Sequence, residues 1–337
     1  MADFLNPLVI LANFILVPGL AYGSQLALGA LGVTLIYSVL RFSNFAHGET
    51  MAFGAMITIL MTWWLQSAGV SIAPLPTALL ALPVGILGTI ALCLTTDRLV
   101  YRYYREQKAS PVTYLIVSVG VMFITGGLIR FIIGPNDQLF GDGARFIMKA
   151  RAFKQMTGLN EGLAIKTSQG VTVVTAVIVV LAVFWFLNRT RTGKSMRAFS
   201  DNEDLALLSG INPDKVVIIA WIITAALATI AGTLYGLDKS FKPFVYLQLL
   251  LPIFAAAIVG GVGSPVGAIA GGFVIAFSEL IITFAYKRVV TYILPESMAP
   301  EGLVQFLSTD YKFAVSFVIL VIVLLVKPTG IFSGKSI

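Results

Sequence analysis

Three polar side chains in a short stretch between two apolar runs are the first candidates for chemistry. Residues 37–54 read YSVLRFSNFAHGETMAFG and contain Asn44, the chain's only histidine, His47, and Glu49. Ionisable groups at membrane depth are costly, so they remain mainly where they face a cavity, a partner group or a transport path. These residues either line a path through the membrane or cap helix ends in a short cytoplasmic turn.

A glycine-rich segment is the second candidate. Residues 260–272 read GGVGSPVGAIAGG and predict the start of a membrane helix, because Ser264 is a preferred N-cap residue and Pro265 suits the first helical position. Glycines spaced four residues apart predict a helix face without side chains, where another helix packs closely. These packing glycines are Gly263, Gly267 and Gly271.

The same segment has an alternative role. Gly260, Gly261 and Gly263 could leave backbone amides free at a helix start near membrane depth, as discontinuous transporter helices do for anionic groups. Further along the run, Glu279 is expected to have a structural partner, since no second carboxylate lies near it in the sequence.

The polar loop at residues 198–215 contains a short helical pattern. Acidic residues 201–204 precede an apolar turn, and Gly210 follows it as a stop signal. This pattern predicts an amphipathic helix outside the bilayer. It is either an element that docks into a groove on a cytoplasmic partner or a solvated connector.

Several kinds of chemistry lack the residues they need. Residues 193–195 and 334–336 both read GKS, but the glycine that a phosphate loop requires five positions earlier is replaced by Asn188 and Thr329. With one cysteine, Cys93, and one histidine, the chain can form neither an internal disulfide nor a cysteine or histidine cluster for a metal. We therefore predict no ATP site, cofactor or metal on this chain, and no enzymatic activity.

Composition predicts the fold class. The 337 residues are 58% hydrophobic and 12% charged, whereas soluble domains carry about 25% charged residues. We predict an all-α integral membrane protein with about eight to ten transmembrane helices, some broken or short, and an internal pseudo-repeat. Residues 1–337 would form one transmembrane domain. The expected spans are at about 5–18, 20–40, 50–66, 77–96, 111–133, 171–187, 216–236, 246–262, 266–286 and 312–327.

The connecting segments predict sidedness. Basic residues close to span ends at 98–108 and 189–197 favour a cytoplasmic location for these loops and for the C-terminus. Polar excursions at about 134–170 and 287–311 would then be extracytoplasmic. Residues 145–154 mix basic and apolar side chains and predict a short helix in the membrane surface. The net charge of +7 is explained by loops facing anionic lipid rather than by nucleic-acid binding.

Four stretches resemble one family, the LivH-type permease subunits of branched-chain amino acid ABC importers. In chain order they are residues 31–49, 193–212, 260–272 and 327–332. Ser38 departs from the expected glycine, the run at 5–18 is an addition, and the two polar excursions are longer than is typical.

The resemblance implies a multi-pass protein of the bacterial inner membrane within a larger complex. Its partners would be a second permease subunit (LivM-like or a copy of this chain), two cytoplasmic ATPase subunits that bind ATP and Mg²⁺, and an extracytoplasmic solute-binding protein. A coupling loop at about 189–215 would contact the ATPases. The expected contact residues are Asn202, Glu203, Leu205, Leu208 and Gly210.

The resemblance also implies a transport route. The solute would cross between two permeases, past residues 44–49 and 260–263. Branched-chain amino acids, other amino acids, urea or small amides, and small carboxylates all remain possible solutes.

The alternative is a self-sufficient secondary transporter or channel for a small polar solute, which would need ion-coupling carboxylates inside spans. Glu49 and Glu279 are its candidates.

Overall fold

The structure of the chain, a computed structural model, describes residues 2–142, 145–293, 300, 302–327 and 329–332. The helices are α1 (Ala2–Leu11), α2 (Val17–Leu40), α3 (His47–Ser67), α4 (Ala78–Thr96), α5 (Arg102–Glu106), α6 (Pro111–Ile133), α7 (Ala150–Thr157), α8 (Thr167–Arg189), α9 (Arg191–Asp201), α10 (Glu203–Leu208), α11 (Pro213–Lys239), α12 (Val245–Gly260), α13 (Pro265–Thr283), α14 (Lys287–Ile293) and α15 (Lys312–Val326). Two short strands, β1 (Phe146–Met148) and β2 (Ile165–Lys166), pair in an antiparallel arrangement.

The predicted fold class is confirmed. Within the described residues, seven helices are long and apolar enough to cross a membrane. Helix α3, with 21 residues, and the shorter apolar α12 pack in the same bundle. The internal pseudo-repeat stays a prediction. We call the end of the bundle where α2 ends and α9 and α10 lie the inner face, and the end where β1, β2 and α7 lie the outer face.

The first helix is continuous, which corrects the predicted break at Pro18. Residues 5–40 form one helix of 36 residues. A π-helical turn over Ala12–Leu16 precedes α2, and the Val17 amide donates to the Ala12 carbonyl, five residues back. Proline inside a helix removes a hydrogen bond and clashes with the preceding turn. The wider π turn directly before Pro18 accommodates the ring without ending the helix.

A second helix extends beyond its prediction. The run that begins at α4 continues through a π turn at Asp97–Tyr101 into α5, so most of the predicted loop at 98–108 is helical. The Asp97 carboxylate accepts hydrogen bonds from Arg105 at 3.0 and 3.3 Å and from the Trp221 indole at 2.8 Å. Because its charge is satisfied there, Asp97 does not end the helix.

The core is built around α2 and α11, which pack against each other and against α13, α3 and α4. Small residues allow this close approach. For example, a Cβ added at Gly272 of α13 would lie 2.6 Å from the Ala27 amide nitrogen of α2. Most residues of α2 and α11 are buried between neighbouring helices, so these two helices form the centre of the described bundle.

The outer excursions differ in part from the prediction. Of the predicted surface helix at 145–154, the first part is strand β1 and only the rest belongs to α7. The two excursions meet at Glu161, which accepts from Arg288 at 3.0 Å and from the Tyr292 hydroxyl at 2.9 Å. Residues 294–299 and 301 of the second excursion lie outside the described part of the chain.

Candidate functional site

The segment between α2 and α3 turns back into the bundle. Arg41 has a left-handed backbone conformation (φ 55°) and ends α2. Helix α3 then begins beside Gly32, since a Cβ added there would lie 2.8 Å from Cε1 of His47. Gly32 lies about 12 Å before the end of α2 at 1.5 Å per residue. The segment at 41–46 therefore re-enters the protein from the inner face.

Asn44 holds this re-entrant segment in place. Its side-chain oxygen accepts from the Ala46 amide at 3.1 Å and from the Tyr101 hydroxyl at 3.3 Å. The Phe42 ring lies between Tyr101 and Tyr114, with ring centroids 5.3 and 4.9 Å apart. Buried backbone outside regular structure needs such partners, so Asn44 has a structural role.

His47 and Glu49 lie in the first turn of α3 and are buried. Asn44, His47 and Glu49 are 3%, 1% and 2% exposed. Within the described residues, Nε2 of His47 and Oε2 of Glu49 have no hydrogen-bond partner. The three side chains are thus buried against different neighbours: Asn44 contacts Tyr101, His47 lies beside Gly32 of α2, and Glu49 lies beside Gly126 of α6.

Glu49 faces a cation that the sequence reasoning missed. A Cβ added at Gly126 of α6 would lie 2.9 Å from the Glu49 carboxyl carbon and 3.1 Å from Nη2 of Arg130. The Arg130 guanidinium also lies 5.0 Å from the centre of the Phe244 ring. The available signal was that Arg130 is the single charged residue in the apolar run at 111–133, and such a residue is a candidate partner for a buried carboxylate.

A second missed group lies under the re-entrant segment. Trp221 of α11 stacks on Tyr101 with ring centroids 5.4 Å apart and donates to Asp97. Tyr101 in turn donates to Asn44. These contacts connect α11 to residues 41–46. Asp97 follows an apolar run directly, which is the sequence signal that could have marked it.

Helix α13 begins as the sequence predicts. Ser264 caps it by accepting from the Gly267 amide at 3.1 Å, and Pro265 is the first helical residue. Side chains on Gly267 and Gly271 would meet the backbone carbonyls of Gly260 and Ala256 in α12. The absence of side chains therefore allows α12 and α13 to pack closely there.

Gly263 does not belong to that face, which corrects its predicted packing role. It precedes the helix, has φ +88°, and has no atom within 4 Å of an added Cβ. Its conformation in the left-handed region favours glycine in the turn between the two helices. The turn, rather than helix contact, explains this glycine.

The C-terminal segment covers the end of α12. The Ile331 and Phe332 amides donate to the Val259 and Gly260 carbonyls at 2.8 and 3.2 Å. A side chain on Gly261 would meet the Phe332 carbonyl. Gly260 and Gly261 are thus packed beneath residues 329–332, and Phe254, earlier in α12, contacts Phe45 at a ring distance of 5.2 Å. Helix α12 thereby connects the glycine turn with the re-entrant segment.

Glu279 has the structural partner that we predicted. It is buried and accepts a hydrogen bond from the Ser316 hydroxyl of α15. Lys312 of α15 lies nearby, 5.7 Å from the centre of the Tyr22 ring. The carboxylate therefore joins α13 to α15.

The predicted coupling loop contains two short helices at the inner face. Asn202 lies between α9 and α10, and its side chain caps α10 by accepting from the Leu205 amide at 3.0 Å. The backbone carbonyl of Ser200 in α9 accepts from the Arg41 guanidinium, so α9 is attached to the end of α2. Ala206 packs inward with Phe199. The two helices are thus fixed to the bundle.

The outward face of α10 is apolar. Leu205 and Leu208 are 61% and 85% exposed. Glu203 is exposed at the start of α10, and Gly210 ends the turn with φ +79°. Exposed leucines on an ordered element are typical of a docking surface.

No cluster of three or more potential metal-ligating His, Cys, Asp or Glu residues occurs within the described ranges.

Comparison with known proteins shows the family. The family described as "Branched-chain amino acid transport system / permease component" matches residues 15–324. The chain belongs to this permease family. The permease is 29% identical over 322 residues to the high-affinity branched-chain amino acid transport system permease protein LivH of Salmonella typhimurium, covering 93% of this chain and 92% of that protein.

Two further relatives are also branched-chain amino acid transport permease proteins. BraD, the corresponding permease protein of Pseudomonas aeruginosa, is 27% identical over 94% of each chain. A probable branched-chain amino acid transport permease protein LivH of Methanocaldococcus jannaschii is 28% identical over 95% of this chain and 92% of that protein. Among solved structures, PsaBC from Streptococcus pneumoniae in complex with Fab gives a TM-score of 0.46 at 11% identity, over 98% of this chain and 93% of that one.

The resemblance drawn from the sequence is therefore confirmed. The chain is the permease component of a branched-chain amino acid ABC transport system and a multi-pass membrane protein. This is a non-catalytic transport family, in agreement with the prediction that the chain is not an enzyme. The alternative of a self-sufficient secondary transporter or channel is not supported.

Proposed function

We propose that this permease forms a translocation path together with a second permease subunit, either LivM-like or another copy of this chain. Two cytoplasmic ATPase subunits would bind ATP and Mg²⁺ at the inner face, and an extracytoplasmic solute-binding protein would deliver branched-chain or related amino acids at the outer face. Residues 1–337 would act as one transmembrane domain. The whole-length similarity to permease proteins of such systems supports this assignment.

The observation that carries the ATPase contact is the exposed apolar face of α10. Leu205 and Leu208 point away from the bundle, and burial in a partner's groove would favour docking by about 1.5–3 kcal/mol for each side chain. Asn202, Glu203 and Gly210 set the start and end of the same element. Since α9 is bonded to Arg41 at the end of α2, a movement of the docked ATPase would be transmitted to the central helix.

The proposed path passes Asn44, His47 and Glu49, with Gly260, Gly261 and Gly263 at its inner end. The three polar side chains are buried in this structure, so the path requires a rearrangement of the re-entrant segment. Both sets of residues are connected through α12. A displacement of α12 relative to α3 would therefore also change the contacts of Asn44, His47 and Glu49.

Reconstitution tests this function directly. The permease is placed in liposomes alone, with a second permease subunit, and with both the second subunit and the ATPases, and uptake of labelled leucine from the loaded binding protein is measured. Uptake should require the ATPases and hydrolysable ATP. Equal uptake by the permease alone, driven by an ion gradient, would contradict the proposal.

A further inference from the structure

A cavity at the inner face lies between the end of α4 and the start of α11. It measures about 370 Å³, within the range of small-molecule sites. We call it the inner cavity; its lining includes Leu94, Arg98, Arg102, Asp214 and Ile218. Four of these five residues are exposed, so the cavity opens to the surface of the bundle.

Two further charged residues that line the inner cavity already have partners. Arg105 donates to the two carboxylate oxygens of Asp97 at 3.0 and 3.3 Å, and the Trp221 indole also donates to this carboxylate at 2.8 Å. The opposite charges of Arg105 and Asp97 compensate each other. This pair therefore forms a wall of the cavity and leaves the other charged groups to hold a ligand.

Two of the remaining groups are arginines. Arg98 is exposed and forms no ion pair with any residue that the structure describes. Arg102 lies one turn later and pairs with Glu106 at 2.9 Å, with both side chains more than half exposed. Such surface pairs contribute little, so Arg102 can exchange its partner. Two guanidinium groups on one wall match the charge and geometry of a phosphate group.

The third group is a carboxylate. Asp214 is exposed at the second residue of α11, and within the described ranges no cation lies close enough to form an ion pair with it. Its side chain would repel a headgroup that is only negative. An ammonium group with N–H bonds would instead donate a charge-assisted hydrogen bond to it. The inner cavity thus offers sites for both charges of a zwitterion.

An apolar row on α4 leads to the same cavity. Leu80, Val84 and Leu87 are 43%, 40% and 66% exposed, and their spacing of four and three residues places them on one side of the helix. Leu94 continues this row into the cavity lining. From Leu87 to Arg98 the helix rises about 16 Å at 1.5 Å per residue, close to half of the hydrocarbon core of about 30 Å. The row therefore suits an acyl chain.

We propose that the inner cavity binds a phosphatidylethanolamine lipid, with its phosphate between Arg98 and Arg102 and its primary ammonium group at Asp214. One acyl chain lies along the apolar row of α4, and Ile218 contacts the glycerol end of the chains. The bound lipid would join the end of α4 to the start of α11. This inference does not depend on the proposed transport route.

Native mass spectrometry of the full-length permease in detergent tests the inner cavity. The permease is titrated with phosphatidylethanolamine, phosphatidylcholine and phosphatidylglycerol, each with two oleoyl chains. Phosphatidylcholine has a methylated ammonium group that cannot donate a hydrogen bond, and phosphatidylglycerol has no ammonium group. Phosphatidylethanolamine should bind about tenfold or more tightly than either, as expected for one charge-assisted hydrogen bond.

Two variants assign the two ends of the headgroup. Asp214→Asn should abolish the preference for phosphatidylethanolamine over phosphatidylcholine. Arg98→Gln should weaken the binding of all three lipids about tenfold, because each carries the phosphate, and should leave that preference in place. Arg191→Gln changes an exposed arginine of α9 outside the cavity lining and is the matched control. Gel filtration and thermal unfolding establish that each variant is folded.

A misfolded charge variant would not end the test, because Ile218→Trp fills the cavity from the α11 side and should also weaken binding of phosphatidylethanolamine. Equal affinity of the unmodified permease for the three lipids would overturn the inference. So would an unchanged preference in Asp214→Asn together with unchanged affinities in Arg98→Gln. Binding of the ATPase subunits is measured in parallel. If both variants weaken ATPase binding and leave the lipid affinities unchanged, the inner cavity belongs to the ATPase contact and the lipid proposal fails.

Discussion

Glu49 of α3 and Arg130 of α6 approach each other across Gly126, a position without a side chain. A Cβ there would lie 2.9 Å from the Glu49 carboxyl carbon and 3.1 Å from Nη2 of Arg130. A buried carboxyl group in an apolar bundle is tolerated better when a cation lies nearby. The glycine makes that arrangement possible.

The first prediction concerns that glycine. Gly126→Ala should lower the free energy of unfolding by about 1–3 kcal/mol, because the buried Glu49 has little room to move away. Gly127→Ala is the control on the same helix: no atom lies within 4 Å of its added Cβ. Thermal unfolding in detergent should show a clear loss for the first variant and little change or a gain for the second. Equal effects would show that Gly126 does not serve the pair.

The second prediction concerns the pair itself. Arg130→Met should destabilise the permease by about 1–2 kcal/mol, because it removes the cation near the buried Glu49 carboxyl group. Adding Glu49→Gln to that variant should restore part of the loss. A double-mutant cycle on unfolding free energies measures the coupling. Strict additivity of the two single effects would mean that the residues do not interact.

The third prediction tests docking at the inner face. Leu205→Asp combined with Leu208→Asp should abolish ATP-driven uptake and leave the permease folded, because charged side chains cannot enter an apolar groove. Leu207→Asp, on a different side of α10, should retain most uptake. The readouts are uptake and solute-stimulated ATPase activity in the reconstituted complex. Normal stimulated ATPase activity in the double variant would remove α10 from the coupling mechanism.

The fourth prediction concerns His47. His47→Ala should slow uptake severalfold without changing the order of preference among leucine, isoleucine and valine, since selection would rest with the binding protein. The physical reason is that few polar groups lie along the proposed path. Competition assays in the reconstituted complex measure the preference. A changed order would assign solute selection to this histidine.

Much of the fold could be predicted from the sequence because hydropathy is a local property. Helices α6, α11 and α15 lie close to their predicted spans, and the N-cap at Ser264 is where the residue types place it. The ends of the helices were harder to predict from the sequence. Pro18 and Asp97 look like helix ends in the sequence, but π turns and tertiary hydrogen bonds carry the helices past both.

The candidate site likewise combines features that the sequence predicted with features that it could not predict. The sequence by itself determined that Asn44, His47 and Glu49 are costly polar groups in an apolar chain. The free-energy cost of placing a side chain in the membrane depends on its residue type, which the sequence states directly. Only the tertiary structure decided that Glu49 faces Arg130, that residues 329–332 cover Gly261, and that Arg98 and Asp214 line one cavity. These partners are far apart in the chain, and no local pattern fixes contacts that arise only when the helices pack.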